Sequence, residues 1–247
     1  MQDQVPALWR AALLSALVWC APACAQDAEP ARRQMVAEIA AMAREVAPYT
    51  GRPVLDARVM DAMGRVPRHL FVPAAERTWA YQNRPLPIGE GQTISQPFIV
   101  ALMTDLAAVR PNDRVLEVGT GSGYQAAVLA GLCKSVYTIE IVERLGREAA
   151  ARLRELGYRN VEVRIGDGYA GWPEHAPFNA IVVTAGADHI PAPLVQQLAP
   201  GGRLVIPVGP SSVESELLLL EKQADGTMRR RAVLPVSFVP LTRGAPR

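Results

Sequence analysis

Val115-Leu116-Glu117-Val118-Gly119-Thr120-Gly121-Ser122-Gly123-Tyr124 reads as a short buried strand that runs into a glycine-rich turn and then a helix. A turn of this kind lets the backbone approach a nucleotide-like ligand closely. The glycines Gly119, Gly121 and Gly123 have the spacing G-x-G-x-G, not the G-x-G-x-x-G of a dinucleotide fingerprint. Glu117 stands just before them. A carboxylate there would repel a pyrophosphate and attract a ligand that carries an ammonium group.

Working outward, strands and helices alternate from Arg114 onward. Strands are expected at Arg114–Val118, Ser135–Glu140, Val161–Ile165, Asn179–Thr184 and Arg203–Val208, with helices over Tyr124–Gly131, Val142–Leu156 and Pro193–Leu198. This alternation implies an α/β fold with a mostly parallel, doubly wound sheet covered on both faces. After Gly209 the pattern changes, and Glu216–Glu221 and Arg230–Phe238, joined by an Asp225-Gly226 turn, read as antiparallel C-terminal strands. Upstream, Met35, Ile39, Met42 and Val46 recur at helical spacing within a helix over Gln34–Val46. A second helix is expected over Val54–Met63, ended by Gly64, followed by a proline-broken segment to Leu86. These elements make an N-terminal helical flank.

Ligands in open α/β sheets bind at the carboxyl ends of the strands. Three strands carry an acid at that edge: Glu117, Glu140 and Asp167. Glu140 lies 21 residues beyond Gly119, near the spacing at which a carboxylate accepts from ribose hydroxyls. Asp167, in Gly166-Asp167-Gly168, suits an adenine amino group, and Glu117 suits an ammonium. S-adenosylmethionine carries an ammonium, a sulfonium and an adenosine, and no phosphate. It is the cofactor these acids and glycines fit.

Composition narrows the rest. Of 247 residues 49% are hydrophobic, enough for a sizeable core, and the net charge of +2 is too small to suggest a nucleic-acid surface. The basic run Arg229-Arg230-Arg231 reads as a solvated strand edge. Three cysteines and three scattered histidines show no ligand spacing, so no metal is expected. Residues 1–25 look like an export signal: Arg10, an apolar run from Ala11 to Trp19, then Ala23-Cys24-Ala25 before Gln26. That run is too short to span a bilayer, so no stable membrane anchor is expected. An over-extended start, with translation beginning at Met35 or Met42, explains the same segment. Residues 26–34 read as a linker and residues 35–247 as one domain.

The acids and the glycine turn together resemble the class I S-adenosylmethionine-dependent methyltransferases, with their Rossmann-like fold. Gly91-Gln92-Thr93-Ile94-Ser95-Gln96-Pro97 narrows the resemblance further. With Val66-Pro67-Arg68-His69-Leu70-Phe71-Val72, Pro87-Ile88-Gly89 and Phe238-Val239-Pro240-Leu241-Thr242, it is similar to the protein-L-isoaspartate (D-aspartate) O-methyltransferase family, over roughly Met35 to Arg243. The resemblance implies methylation of the free α-carboxylate of L-isoaspartyl residues in damaged proteins, the step that initiates their repair. It implies that Ser95 is the active-site serine and orients the substrate carboxylate. It also implies that Gln92, Thr93 and Ile94 line the cofactor with Glu117, Gly119, Gly121, Gly123, Glu140, Asp167 and Gly168, and that Thr242 closes the site. A substrate carboxylate of pKa about 4 is already ionised at neutral pH, so no general base is required. The chain backbone near Phe238–Pro240 is expected to pair with an extended substrate peptide.

The chain departs from the family at Asn179, where Asp is common, and at the polar run Gly186-Ala187-Asp188-His189. Thr184-Ala185-Gly186-Ala187 lacks the Asn/Asp-Pro-Pro-aromatic motif of base N-methylases, which argues against nucleic-acid amino methylation. A small carboxylate acceptor and a non-enzymatic isoaspartyl binder remain as alternatives. Supply of S-adenosylmethionine favours the cytoplasm, and a working leader would place the chain in the periplasm. A monomer is expected.

Overall fold

The computed structural model describes residues 28–210 and 215–244. The leader reading and Cys20 and Cys24 lie outside the described residues. Seven strands form one sheet: β3 Arg114–Val118, β4 Ser135–Glu140, β5 Val161–Ile165, β6 Phe178–Val183, β7 Leu198–Val208, β8 Ser215–Lys222 and β9 Met228–Val236. Their order is β5-β4-β3-β6-β7-β8-β9. The first five run parallel, β8 runs antiparallel to β7, and β9 antiparallel to β8. The chain winds outward from β3 through β4 to β5, then returns to the other side of β3 with β6. That reversal opens a crevice at the carboxyl ends of the strands, where such sheets bind ligands.

The period-2 alternation of the strands divides two cores. Val115, Val136, Ala180, Val182 and Val205 face a cluster built with Met35, Met63, Phe98 and Leu102. Leu116, Val118, Ile181, Val183 and Ile206 face the opposite cluster, with Trp172, Phe178 and Leu194. The first face is covered by α1 Ala28–Glu45, α3 Ala57–Arg65, α4 Pro97–Ala107, α5 Tyr124–Ala130 and α6 Glu143–Glu155, and the second by α7 Ala192–Gln196 and its flanking turns. A single turn, α2 Ala47–Thr50, joins α1 to the approach of α3. Each of these buried valine, leucine and isoleucine side chains stabilises the fold by about 1.5–3 kcal/mol.

The upstream region differs from its expected outline. The linker expected over 26–34 is helical from Ala28, because Glu29 pairs with Arg32 and Arg33 in the first turn of α1. α3 starts later than expected, at the N-cap Asp56, whose carboxylate accepts from the Arg58 N–H at 2.7 Å. It continues through Gly64 and ends before Val66, which Pro67 holds in an extended conformation. The segment that holds Gln92 to Ser95 is not an open loop. β1 Leu86–Gly89 and β2 Gln92–Ile94 form a small antiparallel hairpin, turned by three consecutive residues with positive φ, Gly89, Glu90 and Gly91. Arg229 and Arg230 lie exposed on β9, at the open edge of the sheet.

Candidate active site

The glycine turn, the β1–β2 hairpin and the C-terminal segment meet at one open cleft. Gly119, Gly121, Glu117 and Glu140 line it at the ends of β3 and β4, and Gln92, Thr93, Ile94 and Ser95 line it from the hairpin and the residue that follows. Gly168 and Thr242 also line it. Gly123 and Asp167 do not. Gly123 is the N-cap of α5 at φ 87°, and a Cβ there would meet the Leu153 side chain at 3.1 Å. Asp167 caps a short 3-10 turn, accepting from the Tyr169 N–H at 2.9 Å.

Each glycine of the turn has its own physical reason. At Gly119, φ is +99° and a Cβ would stand 2.4 Å from Thr184 Oγ. Thr184 uses that hydroxyl to donate to the Gly119 carbonyl at 2.6 Å. Gly121 has φ +51° and lies under Ile88 of the hairpin. A Cβ at Gly168 would collide with Val118 at 2.3 Å. Glu140 holds the turn in place: its Oε2 accepts from the Gly121 N–H at 2.7 Å and its Oε1 from the Val142 N–H at 2.9 Å.

Glu117 is fully buried. Burial pushes its carboxyl up to about 8, the Thr138 hydrogen bond opposes that, and the charge of Glu140 adds to it. Thr138 donates to Glu117 Oε2 at 2.5 Å and in turn takes a hydrogen bond from Thr120 at 2.6 Å. Glu117 Oε1 has no partner. Gln125 is also buried at the cleft; its amide donates to Thr104 at 2.9 Å while its Oε1 is unpartnered. Two unpartnered buried acceptors on residues that line the cleft suit a ligand with several N–H donors, and an ammonium is such a group. Glu117 is legible in the sequence as a site residue; Gln125, Thr120, Tyr124 and Thr184, which also line the cleft, are not. Only their placement beside the glycine turn and at the end of β6 could have signalled them.

The C-terminal segment is bound back onto the sheet. Gly186 N–H donates to the Val239 carbonyl at 2.8 Å, and Leu241 N–H donates to the Gly186 carbonyl at 2.7 Å. The backbone expected to be open for an added peptide strand near Phe238–Pro240 is therefore partly used within the chain, because Pro240 bridges in parallel to Gly186. Beyond it, Arg243 stacks on Tyr169 at 3.9 Å and meets His189 Nε2 at 3.0 Å, while His189 Nδ1 meets Asp188 at 2.6 Å. Asn179 Oδ1 accepts from the Arg114 N–H at 2.9 Å, so the amide at this departure from the family closes the start of β3.

Comparison with known proteins gives one consistent answer. The family model described as Protein-L-isoaspartate(D-aspartate) O-methyltransferase (PCMT) matches residues 49–245. Protein-L-isoaspartate O-methyltransferase 1 of Cupriavidus necator is 62% identical over 223 residues, covering 90% of this chain and 86% of that protein. Protein-L-isoaspartate O-methyltransferase 2 of a Polaromonas species is 64% identical over 208 residues, covering 84% of this chain and 99% of that one. A solved protein-L-isoaspartate O-methyltransferase structure superposes with a TM-score of 0.74 at 27% identity, covering 85% of this chain and 65% of that chain, under two thirds of its length. A Plasmodium falciparum structure in complex with S-adenosyl-L-homocysteine shares the fold, with a TM-score of 0.72 at 23% identity over 86% of this chain and 99% of that one.

Proposed function

The chain belongs to the protein-L-isoaspartate(D-aspartate) O-methyltransferase family, and from that premise we propose that it transfers a methyl group from S-adenosylmethionine to the free α-carboxylate of L-isoaspartyl residues in damaged proteins. The observation that carries the reading is the convergence of the Gln92–Ser95 hairpin with the Gly119–Gly123 turn on a cleft that holds two unpartnered buried acceptors, Glu117 Oε1 and Gln125 Oε1.

The residues fit the cofactor. Glu117 and Gln125 would take its ammonium, Glu140 its ribose hydroxyls, and Gly168, next to Asp167, its adenine end, while Gly119 and Gly121 keep the wall free of side chains. When bound, it supplies a methyl group on a positively charged sulfur. The chain supplies position: Ser95 donates a hydrogen bond that orients the ionised substrate carboxylate, Gln92 to Ile94 hold the other side of the cleft, and Thr242 closes it. Alignment of two reacting groups, without a general base, is sufficient catalysis for a nucleophile that is already an anion.

The reading takes residues 35–247 as the methyltransferase unit, acting as a monomer on isoaspartyl proteins and peptides with no nucleic-acid partner. Among the described residues no helix is long and apolar enough to cross a membrane. Cofactor supply favours the cytoplasm, with the periplasm the alternative if residues 1–25 direct export; cell fractionation with sequencing of the mature N-terminus decides between them. The catalytic reading is tested by labelled methyl transfer to an isoaspartyl peptide and to its aspartyl twin. Label on the isoaspartyl peptide alone is expected; equal or absent labelling would overturn it.

A further inference from the structure

Arg68 lies outside the cleft and is completely buried, yet its guanidinium reaches both halves of it. Its Nη2 donates to the Ser95 carbonyl at 2.8 Å and its Nε to the Ala80 carbonyl at 2.8 Å. Its Cζ stands 4.8 Å from the centre of the Tyr124 ring. Tyr124 is the first residue of α5, next to Gly123, and lines the cleft. None of the ion pairs among the described residues involves Arg68, and its Nη1 has no hydrogen-bond partner. Burial lowers its basicity to about 10, against the stabilising effect of Tyr124. A chain rarely buries a cation without a carboxylate, because desolvation costs more than carbonyl dipoles return. A purely structural plug at this position would be served by an apolar side chain.

Resting on the methyltransferase reading above, we propose that Arg68 is a positioning residue for methyl transfer: it fixes the Ser95 carbonyl while stacked on Tyr124, and so sets the distance between the acceptor-side serine and the glycine turn. The fork is what the task requires. Lysine offers a point charge that cannot hold two carbonyls and stack on a ring together. The neighbouring contacts confine the rest of the segment: Gln96 donates to the Asn83 carbonyl at 3.0 Å and Phe98 N–H to Asn83 Oδ1 at 2.9 Å. Arg68 alone of these links Ser95 to the cofactor side.

The test uses the full chain with Arg68→Lys and Arg68→Met; the methionine variant removes the buried charge and retains volume, so it is the one expected to fold if the lysine variant does not. With an isoaspartyl peptide, kcat is expected to fall roughly 10- to 100-fold while the Kd for S-adenosylhomocysteine stays within about twofold. Ser95→Ala should cost less in the Arg68→Met background than in the wild type. Hydrogen exchange across residues 92–96 should quicken. Wild-type kcat in either folded variant, parallel loss of kcat and cofactor affinity, or unchanged exchange over 92–96 would overturn the proposal. A wild type that fails to label the isoaspartyl peptide sinks the methyltransferase reading instead, and the exchange measurement still decides the role of Arg68.

Discussion

Glu140 and Gly121 are joined by a hydrogen bond of 2.7 Å from the Gly121 N–H to Glu140 Oε2. The second oxygen of the same carboxylate accepts from Val142 N–H at the start of α6. The acid that reads from sequence as a ribose ligand is thus also the tie that shapes the turn. Glu140→Ala is expected to weaken S-adenosylhomocysteine binding by roughly 30- to 150-fold, about 2–3 kcal/mol, from the loss of charge-assisted bonds to the backbone. Calorimetry measures this directly. An unchanged Kd would mean that the turn keeps its shape without the carboxylate.

Glu117 gives the site a pH dependence. Its folded value of about 8 stands above the ordinary 4.5. The folded chain therefore holds a proton that the unfolded chain releases, and stability is full below about 4.5 and declines as pH rises towards about 8. Glu117→Gln removes this dependence, so its melting-temperature advantage over the wild type should grow between pH 5 and pH 8. An ammonium ligand favours the ionised carboxylate. Binding S-adenosylhomocysteine at pH 7 should then release close to one proton (~1), visible in calorimetry as a dependence on buffer ionisation enthalpy. Proton release that persists in Glu117→Gln would assign it to another group.

The sheet was legible because β3, β4 and β6 are short apolar runs bounded by glycine or polar turns. Their expected ends agree with the structure to within one residue at Arg114–Val118, Ser135–Glu140 and Phe178–Val183. The β1–β2 hairpin was not legible. Its strands are only four and three residues long, and its turn depends on a non-glycine residue, Glu90, held at φ 53°. No pattern of apolar residues encodes that. Ser95 is assigned by family resemblance, since its local sequence suggests a turn or helix cap. Arg68 was invisible as a site residue for a different reason. Its hydrogen-bond partners, Ala80, Arg84 and Ser95, lie 12, 16 and 27 positions away and meet it through backbone carbonyls, which leave no signature in side-chain identity.

The glycines of the site should differ sharply in tolerance. Gly119→Ala forces a side chain into positive φ and against Thr184 Oγ at 2.4 Å. The expected cost is about 3 kcal/mol or more, from strain and overpacking together. Gly91 also has positive φ, but nothing lies within 4 Å of its would-be Cβ. Gly91→Ala should therefore cost only about 1–2 kcal/mol, the conformational penalty alone. Denaturant unfolding compares the two, and adding Thr184→Ala to Gly119→Ala should recover part of the loss. Equal costs at the two positions would remove the close approach as the reason for Gly119.

His189, joined through Arg243 to the segment that carries the cleft-lining Thr242, is the residue most easily mistaken for a general base. Its hydrogen bonds argue otherwise. Arg243 is a donor only, so its Nη2 at 3.0 Å requires His189 Nε2 to be an acceptor, and Nδ1–H then donates to Asp188 at 2.6 Å. In this state both ring nitrogens are engaged within the chain, and the next residue along the tail from Arg243 towards the cleft is Thr242. His189 therefore anchors the segment that closes the site and moves no proton. A general base would contribute about 10²- to 10⁴-fold, so His189→Ala should instead leave kcat within about twofold and raise KM for the isoaspartyl peptide a few-fold. The pH profile of kcat should keep its shape. A hundredfold fall in kcat with peptide KM unchanged would make His189 part of the chemistry and the base-free mechanism wrong.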